Sequence, residues 1–404
     1  MRLTMKEKKK AVAILAPRYQ KASKKEKGKM LNEFIALTGY CRTHASYVLS
    51  MHGKRRRVSK NRVIQADVRM TGRRGRKKKY TEDVKKALIK IWYIMDCICG
   101  KRLAPVMGPT VKKLEDFGEI SLAEDAREKL IGMSASTIDR LAAGERRKQT
   151  IKGRSNTKPG TLLKNQIPVR TFADWDEQRP GFVEIDLVGH DGGNAKGEFM
   201  QTLDVTDVCT TWTETEAVKN KAQVWVFEAL KDIRTRLPFE LMGIDSDSGG
   251  EFINHHLYEY CKEESITFTR SRSYRKNDNC FVEQKNYSVV RRAVGYLRYD
   301  TEQELRIINE LYRHLRLYTN FFQPSMKLTE KTRVGSRVTK KYDIAQTPYQ
   351  RVLCSPYISK SAKTKLKRQY KTLNPASLKR KITRLQQKLL RMAENKSKRR
   401  RHAA

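Results

Sequence analysis

The sequence predicts a multidomain chain: helical modules at the amino-terminal side, an α/β core with a mixed sheet, and a basic carboxyl-terminal region ending in a helix. Three observations predict it. Apolar residues recur at helical intervals up to about residue 143. From Phe182 the pattern changes to strand, strand, strand, helix, strand, helix, strand. The charge is +42, from 86 Lys and Arg against 44 Asp and Glu, and it is densest outside the strand-rich part. A chain this basic repels itself unless a polyanion meets it, and every DNA phosphate neutralised releases a counterion. RNA or an anionic membrane surface would satisfy the charge as well.

Residues 1–52 read as three short helices, Met5 to about Gln20, Lys24 to Leu37 and His44 to Met51, with a break at Thr38-Gly39. A tight turn before the last helix suits a helix-turn-helix, with Arg42, Thr43 and Ser46 as reading residues; a small helical bundle with a basic solvated face is the alternative. Residues 53–79 form a basic linker holding Lys54 to Arg57 and a run with Arg73, Arg74, Arg76 and Lys77, the composition of an arm that follows phosphate. Residues 80–143 form a second helical DNA-binding domain, with Val84, Leu88, Ile91, Trp92 and Met95 as a core stripe and Pro105 and Pro109 bracketing a turn. Its last helix is capped by Ser134, anchored by Ile138 and Leu141, and offers Ser136, Thr137 and Arg140 to DNA. Residues 144–168 are polar, without apolar period, and read as a linker.

The core spans 169–324. Phe182–Val188, Phe199–Val208 and Thr211–Val218 make a three-strand meander; a helix over Lys221–Arg236, the strand Phe239–Asp245, a helix over Glu251–Glu264 and the strand Ser265–Thr269 follow. The first and fourth strands then lie side by side, bringing Asp186 and Asp247 together, with Glu283 on the next helix. Such carboxylates suit hard divalent cations, which take oxygen ligands and in pairs can serve phosphoryl transfer. Glu184 and Asp245 share strand faces with the chosen pair by period two and are read as supports or simple acids; Asp204 and Asp207 are read as structural, with Asp204 close enough in register to the chosen pair to merit a test.

Thirty-five residues separate Asp247 from Glu283, and the strings Asp247-Ser248-Gly249 with Phe252, Asn277, and Val282-Glu283 with Asn286 surround them. With Asp186 these resemble the D, D, 35, E core of the DDE integrase and transposase superfamily, the ribonuclease-H-like fold of retroviral integrases and bacterial insertion-sequence transposases. Ala16-Pro17-Arg18-Tyr19, Thr38-Gly39-Tyr40 and His44-Ala45 look like the amino-terminal region of some of those transposases. The resemblance implies a transposase that binds terminal repeats, cleaves 3′-ends and transfers strands into target DNA. It implies two Mg2+ per site, Mn2+ substituting, held by Asp186, Asp247 and Glu283. It also implies duplex DNA as partner and at least a dimer in the synapse, and leaves a helper ATPase open. A metal-dependent nuclease and a catalytically silent architectural protein remain the alternatives. Arg270, Arg272, Arg275 and Asn277 in the loop before the Glu283 helix, and Lys285 and Arg291 on it, complete the DNA-contact candidates.

The seven cysteines and seven histidines fall at no zinc-ligand spacing, no secretory leader is visible, and no apolar run approaches about 18 residues. The expectation is a soluble cytoplasmic bacterial protein, nucleoid-associated when bound. Residues 325–404 make the basic carboxyl-terminal region. In it Leu378, Ile382, Leu385, Leu389 and Met392 are spaced 4, 3, 4, 3, a seam for a coiled coil, for packing on the chain's own core, or for winding along DNA.

Overall fold

The computed structural model describes residues 3–59, 62–65, 79–148, 169–170, 179–247, 249, 251–252, 254–271 and 280–402. The chain divides into two compact units, Met1–Lys79 and Tyr80–Ala404. In the first, α1 (Met5–Lys21), α2 (Lys24–Thr38) and α3 (Arg42–Met51) enclose Val12, Ala16, Leu31, Phe34, Ala45 and Leu49. Thr4 and Ser23 form capping boxes with Glu7 and Glu26, satisfying otherwise orphaned N–H groups. Gly39, at φ 69°, takes the left-handed C-cap that a side chain disfavours and turns the chain into α3. Downstream, β1 (Arg55–Ser59) and β2 (Arg62–Gln65) form an antiparallel hairpin inside the stretch expected to be linker. The arginines there obscure a strand signal carried by Val58, Val63 and Ile64. Arg73, Arg74, Arg76 and Lys77 lie outside the described residues.

In the second unit, α4 (Glu82–Ile94), α5 (Gly100–Leu103), α6 (Met107–Asp116), α7 (Glu124–Ile131) and α8 (Ala135–Arg147) precede the sheet. Pro105 and Pro109 do not bracket a loop. Both sit in the first turn of a helical segment, where a missing N–H costs no hydrogen bond. The expected linker over 144–168 starts later, because α8 continues to Arg147; residues 149–168 lie outside the described set.

The sheet runs β3 (Val169–Arg170), β8 (Thr267–Ser271), β7 (Gly243–Ser246), β4 (Phe182–Gly189), β5 (Gln201–Asp207), β6 (Thr213–Val218). β4, β5 and β6 are antiparallel neighbours, while β7 lies parallel to β4 and β8 parallel to β7. Leaving aside the two-residue β3, which sequence reading missed, this is a mixed five-stranded sheet in the ribonuclease-H-like order expected for the core. One face carries Val183, Ile185, Leu203, Val205, Ile244 and Phe268 against α9 (Gln223–Arg236) and α10 (His255–Glu263). The other carries Glu184, Asp186, Thr202, Asp204 and Asp245, and packs under α11 (Cys280–Lys285), a π-helical stretch over Asn286–Arg291, α12 (Arg292–Val294) and α13 (Glu302–Phe322).

After α13 come a hairpin of β9 (Leu328–Val334) and β10 (Arg337–Tyr342), then α14 (Pro348–Cys354), α15 (Lys360–Thr372) and α16 (Pro375–His402). Leu378, Ile382, Leu385 and Leu389 are buried, and α16 lies along α13. Of the three uses open to that seam, the structure takes packing on the chain's own core. Lys396 seals it with bonds of 2.7 Å to Asp300 and 2.8 Å to Glu304. The segment read as a separate domain over 80–143 shares this hydrophobic core: Leu88, Trp92, Leu114 and Ile138 belong to one cluster with Leu311, Phe321, Val352 and Leu385. Among the described residues no helix is long and apolar enough to cross a membrane.

Candidate active site

Asp186 and Asp204 are register partners across β4 and β5; Glu184 pairs with Asp245 across β4 and β7, and Asp247 directly follows the last residue of β7, close enough to raise the Asp186 carboxyl. The sheet therefore gathers Glu184, Asp186, Asp204 and Asp245 on one face, with Asp247 just beyond the carboxyl end of β7. Asp245 accepts a hydrogen bond from Thr269 on β8. Glu184, fully buried, accepts the Val282 N–H at 2.8 Å and so fixes the helix that carries Glu283 against the sheet. The other Glu184 oxygen has no partner, and burial pushes its carboxyl well above the usual range.

Asp186 accepts from the Leu187 N–H at 2.8 Å and from Asn286 Nδ2 at 2.5 Å. Desolvation, then the neighbouring Asp247 and, more weakly, Glu283, raise its pKa to about 7, against those hydrogen bonds. Asp247 takes the Gly249 N–H at 2.9 Å, and burial raises its carboxyl too. The three predicted carboxylates are thus brought into one field, with Glu283 exposed on its helix. Among the described residues no three His, Cys, Asp or Glu side chains are already closed around one ion position. The chemistry of the donor set fits a hard cation: three carboxylates, all oxygen donors, two of them desolvated, with Asp247 and Glu283 both raising Asp186.

Asn286 entered the sequence reading only through its place in the family string; its grip on Asp186 emerges from the fold. It sits where the helix widens to π geometry, a distortion frequent at functional sites. Asp204, buried without exposure, keeps one oxygen unpartnered; burial raises its carboxyl well above the usual range while Lys285 restrains it. Lys285 is itself desolvated, down to about 8, with Asp204 opposing the fall. Asp207 plays the structural part expected, accepting from Gly181 N and from both Thr210 donors.

The DNA-contact candidates separate into groups. Arg42 and Thr43 are exposed at the start of α3, Arg42 bonding Asn32, while Ser46 is half-buried and shares a 3.3 Å hydrogen bond with Tyr19. Ser136 and Arg140 are exposed on α8 and Thr137 is half-buried, accepting from Ser134 at 3.0 Å. Arg270 is half-buried in β8. Arg272, Arg275 and Asn277 lie outside the described residues. Two candidates turn inward instead of toward a phosphate. Lys285, at the end of α11, faces Asp204, and Arg291, in the π-helical stretch, donates to Gly189 O at 2.9 Å and stacks on Tyr296.

No protein-family model matches the chain. Among solved structures it is similar to the HTLV-2 integrase catalytic core domain in complex with magnesium, in its dimeric form, at 13% identity. That match covers 36% of this chain and 90% of the other, with a TM-score of 0.28. The catalytic core domain of BIV integrase is 15% identical over 42% of this chain and 91% of that one, with a TM-score of 0.29. Scores this low assign no fold; the strand order above does that. Over 355 residues the chain is 36% identical to the "Uncharacterized protein y4rM" of Sinorhizobium fredii (strain NBRC 101917 / NGR234), covering 87% of this chain and 97% of that one. The chain belongs to the family of that Sinorhizobium fredii protein.

Proposed function

We propose that the chain is a DNA transposase of the DDE integrase type, a polynucleotidyl transferase that binds terminal repeats, cleaves 3′-ends and joins them to target DNA. The observation that carries this reading is the convergence of Asp186, Asp247 and Glu283 on the acidic face of a ribonuclease-H-ordered sheet. Asp186, Asp247 and Glu283 would hold two Mg2+, or Mn2+ in their place. When bound, such ions supply Lewis acidity toward an attacking water or 3′-hydroxyl and toward the leaving oxygen.

The chain's own groups set the geometry. Asn286 orients the Asp186 carboxylate, the Gly249 N–H fixes Asp247, and Glu184 pins the first turn of the Glu283 helix. No Ser, Tyr or Cys nucleophile is required. Helices α3 and α8, each ending a helical module and exposing Arg42 and Thr43 or Ser136 and Arg140, are the proposed helix-turn-helix readers of the repeats. Two ends must meet, so a homodimer at least is the working form, in a cytoplasmic, nucleoid-associated setting.

The test mixes purified protein and Mg2+ with labelled duplex ends of the host element and a target plasmid. Wild type is expected to join ends, and Glu283→Gln to lose joining at least a hundredfold while still binding duplex. Cleavage without any joining would replace this reading by a nuclease; undiminished function in cells after Asp247→Asn would replace it by an architectural role.

A further inference from the structure

Between α13 and α14 the chain leaves the core as the β9–β10 ribbon. Its base is anchored. Lys327 Nζ donates to Cys209 O at 2.9 Å, the Lys327 N–H to Asp343 at 2.7 Å, Arg351 pairs with Asp343 at 2.8 Å, and Ser325 and Gln346 exchange backbone hydrogen bonds. Beyond that base every residue from Thr329 to Tyr342 is exposed, Val334 at 75%. Seven residues of strand reach about 23 Å. A lone two-stranded hairpin is marginal in water, so this one gains little from its own packing.

The register divides its charges unequally. On one face Glu330 stands opposite Lys341 and pairs with it at 2.7 Å, and Thr332 faces Thr339. On the other, Lys331 stands directly opposite Lys340, with Arg333 two positions along β9, and no acid shares that face. Like charges in direct cross-strand opposition destabilise a pair. A ribbon that keeps three uncompensated cations on one exposed face is built to be neutralised from outside. A second copy of the chain suits poorly, since it too carries 86 basic against 44 acidic residues. Duplex DNA suits well, because a two-stranded ribbon fits the major groove and its phosphates supply the missing negative charge.

We propose that the β9–β10 ribbon is a duplex-DNA contact of its own, laying the Lys331, Arg333 and Lys340 face on the phosphate backbone. It is distinct from the carboxylate site. Its root at Cys209 lies next to Val208, which is bonded to Phe182 at the start of β4, about 13 Å along that strand from Asp186. This deepens the proposed function and rests on it. The ribbon grips without reading sequence, holding flanking or target duplex while other modules select the ends.

The experiment measures binding of the full chain to a random-sequence duplex across a salt series, for wild type and for Lys331→Gln/Arg333→Gln/Lys340→Gln. The slope of log affinity against log salt is expected to fall by about 2 to 3, from three lost phosphate contacts at ~0.9 each, with at least tenfold weaker binding. Lys331→Arg/Lys340→Arg is expected to keep the wild-type slope, and Thr332→Ala/Thr339→Ala, on the other face, to change nothing. If wild type joins ends and the triple variant keeps slope and affinity, the ribbon assignment is overturned and the transposase reading stands. If wild type shows no salt-dependent duplex binding, both fall. Loss of self-association in sedimentation with an unchanged slope would make the ribbon a protein interface and overturn the DNA assignment.

Discussion

On one face of the central sheet, Val183, Ile185, Leu203 and Val205 meet α9 and α10 in an apolar layer; one residue along the same strands, Glu184, Asp186, Asp204 and Asp245 crowd the opposite face. Both faces are largely withdrawn from water, but only the first is withdrawn cheaply. Each apolar side chain there contributes about 1.5–3 kcal/mol by leaving solvent. On the second, burial pushes the carboxyls of Glu184, Asp186, Asp204 and Asp247 above their usual range, and two buried oxygens have no hydrogen-bond partner. Stability is supplied by one side of the sheet and spent on the other, the distribution expected where strain serves chemistry.

The sharpest break of this contrast exchanges the rules of the two faces. Ile185→Asp places an unpaired carboxylate in a layer where residue 185 has no exposure, and is expected to cost at least about 4 kcal/mol, read as a collapse of the urea midpoint. The neighbouring change, Asp186→Asn, is expected to act in the opposite direction. An acid whose folded pKa is raised favours the folded state while protonated and loses that advantage as pH climbs from about 4, its unfolded value, to about 7. In chelator, wild type should therefore lose stability over that window, Asp207, raised to about 6, adding to the loss. Asp186→Asn should flatten the curve and be more stable at pH 8 by on the order of 1–3 kcal/mol, measured by denaturant titration across pH. An unchanged pH profile would mean that Asp186 is better solvated than the acidic-face argument holds. The smallest effect expected is that of the ion. Millimolar Mg2+ should stabilise wild type by about 1 kcal/mol, a few degrees in melting temperature, and leave Asp247→Asn unmoved.

Much of the core was legible because its signals are local. Thr and Val enrichment marks β5 and β6, apolar runs mark β4, and a parallel β4–β7 pair follows from a meander succeeded by a helix and a strand. Asp186 is preferred to Glu184 by its later place in the strand, but choosing Asp247 over Asp245 needs the family string, since period two puts both members of each pair on one face. What escaped was non-local or disguised. The β9–β10 ribbon was missed because Lys and Arg occupy positions where a half-buried strand shows apolar residues. Spacing alone puts Lys285 and Arg291 on partly different faces of their helix, so that at most a subset can meet one strand; it does not show that both turn inward, because the helix widens to a π turn from Asn286 on. Nor does any local pattern reveal that Trp92 and Leu385, nearly 300 residues apart, share one core.

That shared core has a consequence for synthesis. The apolar stripe of α13, from Ile307 to Phe322, is covered in part by α16, and α4 meets α16 as well. A ribosome that has delivered the whole acidic face, but not yet residue 375, holds a nascent chain whose largest hydrophobic surface is still open. The acidic face is therefore translated well before the scaffold that steadies it can close. A message truncated within α16 should yield a product that chaperones and proteases recognise, not a hyperactive fragment. Closure of the core therefore waits for the residues of α16.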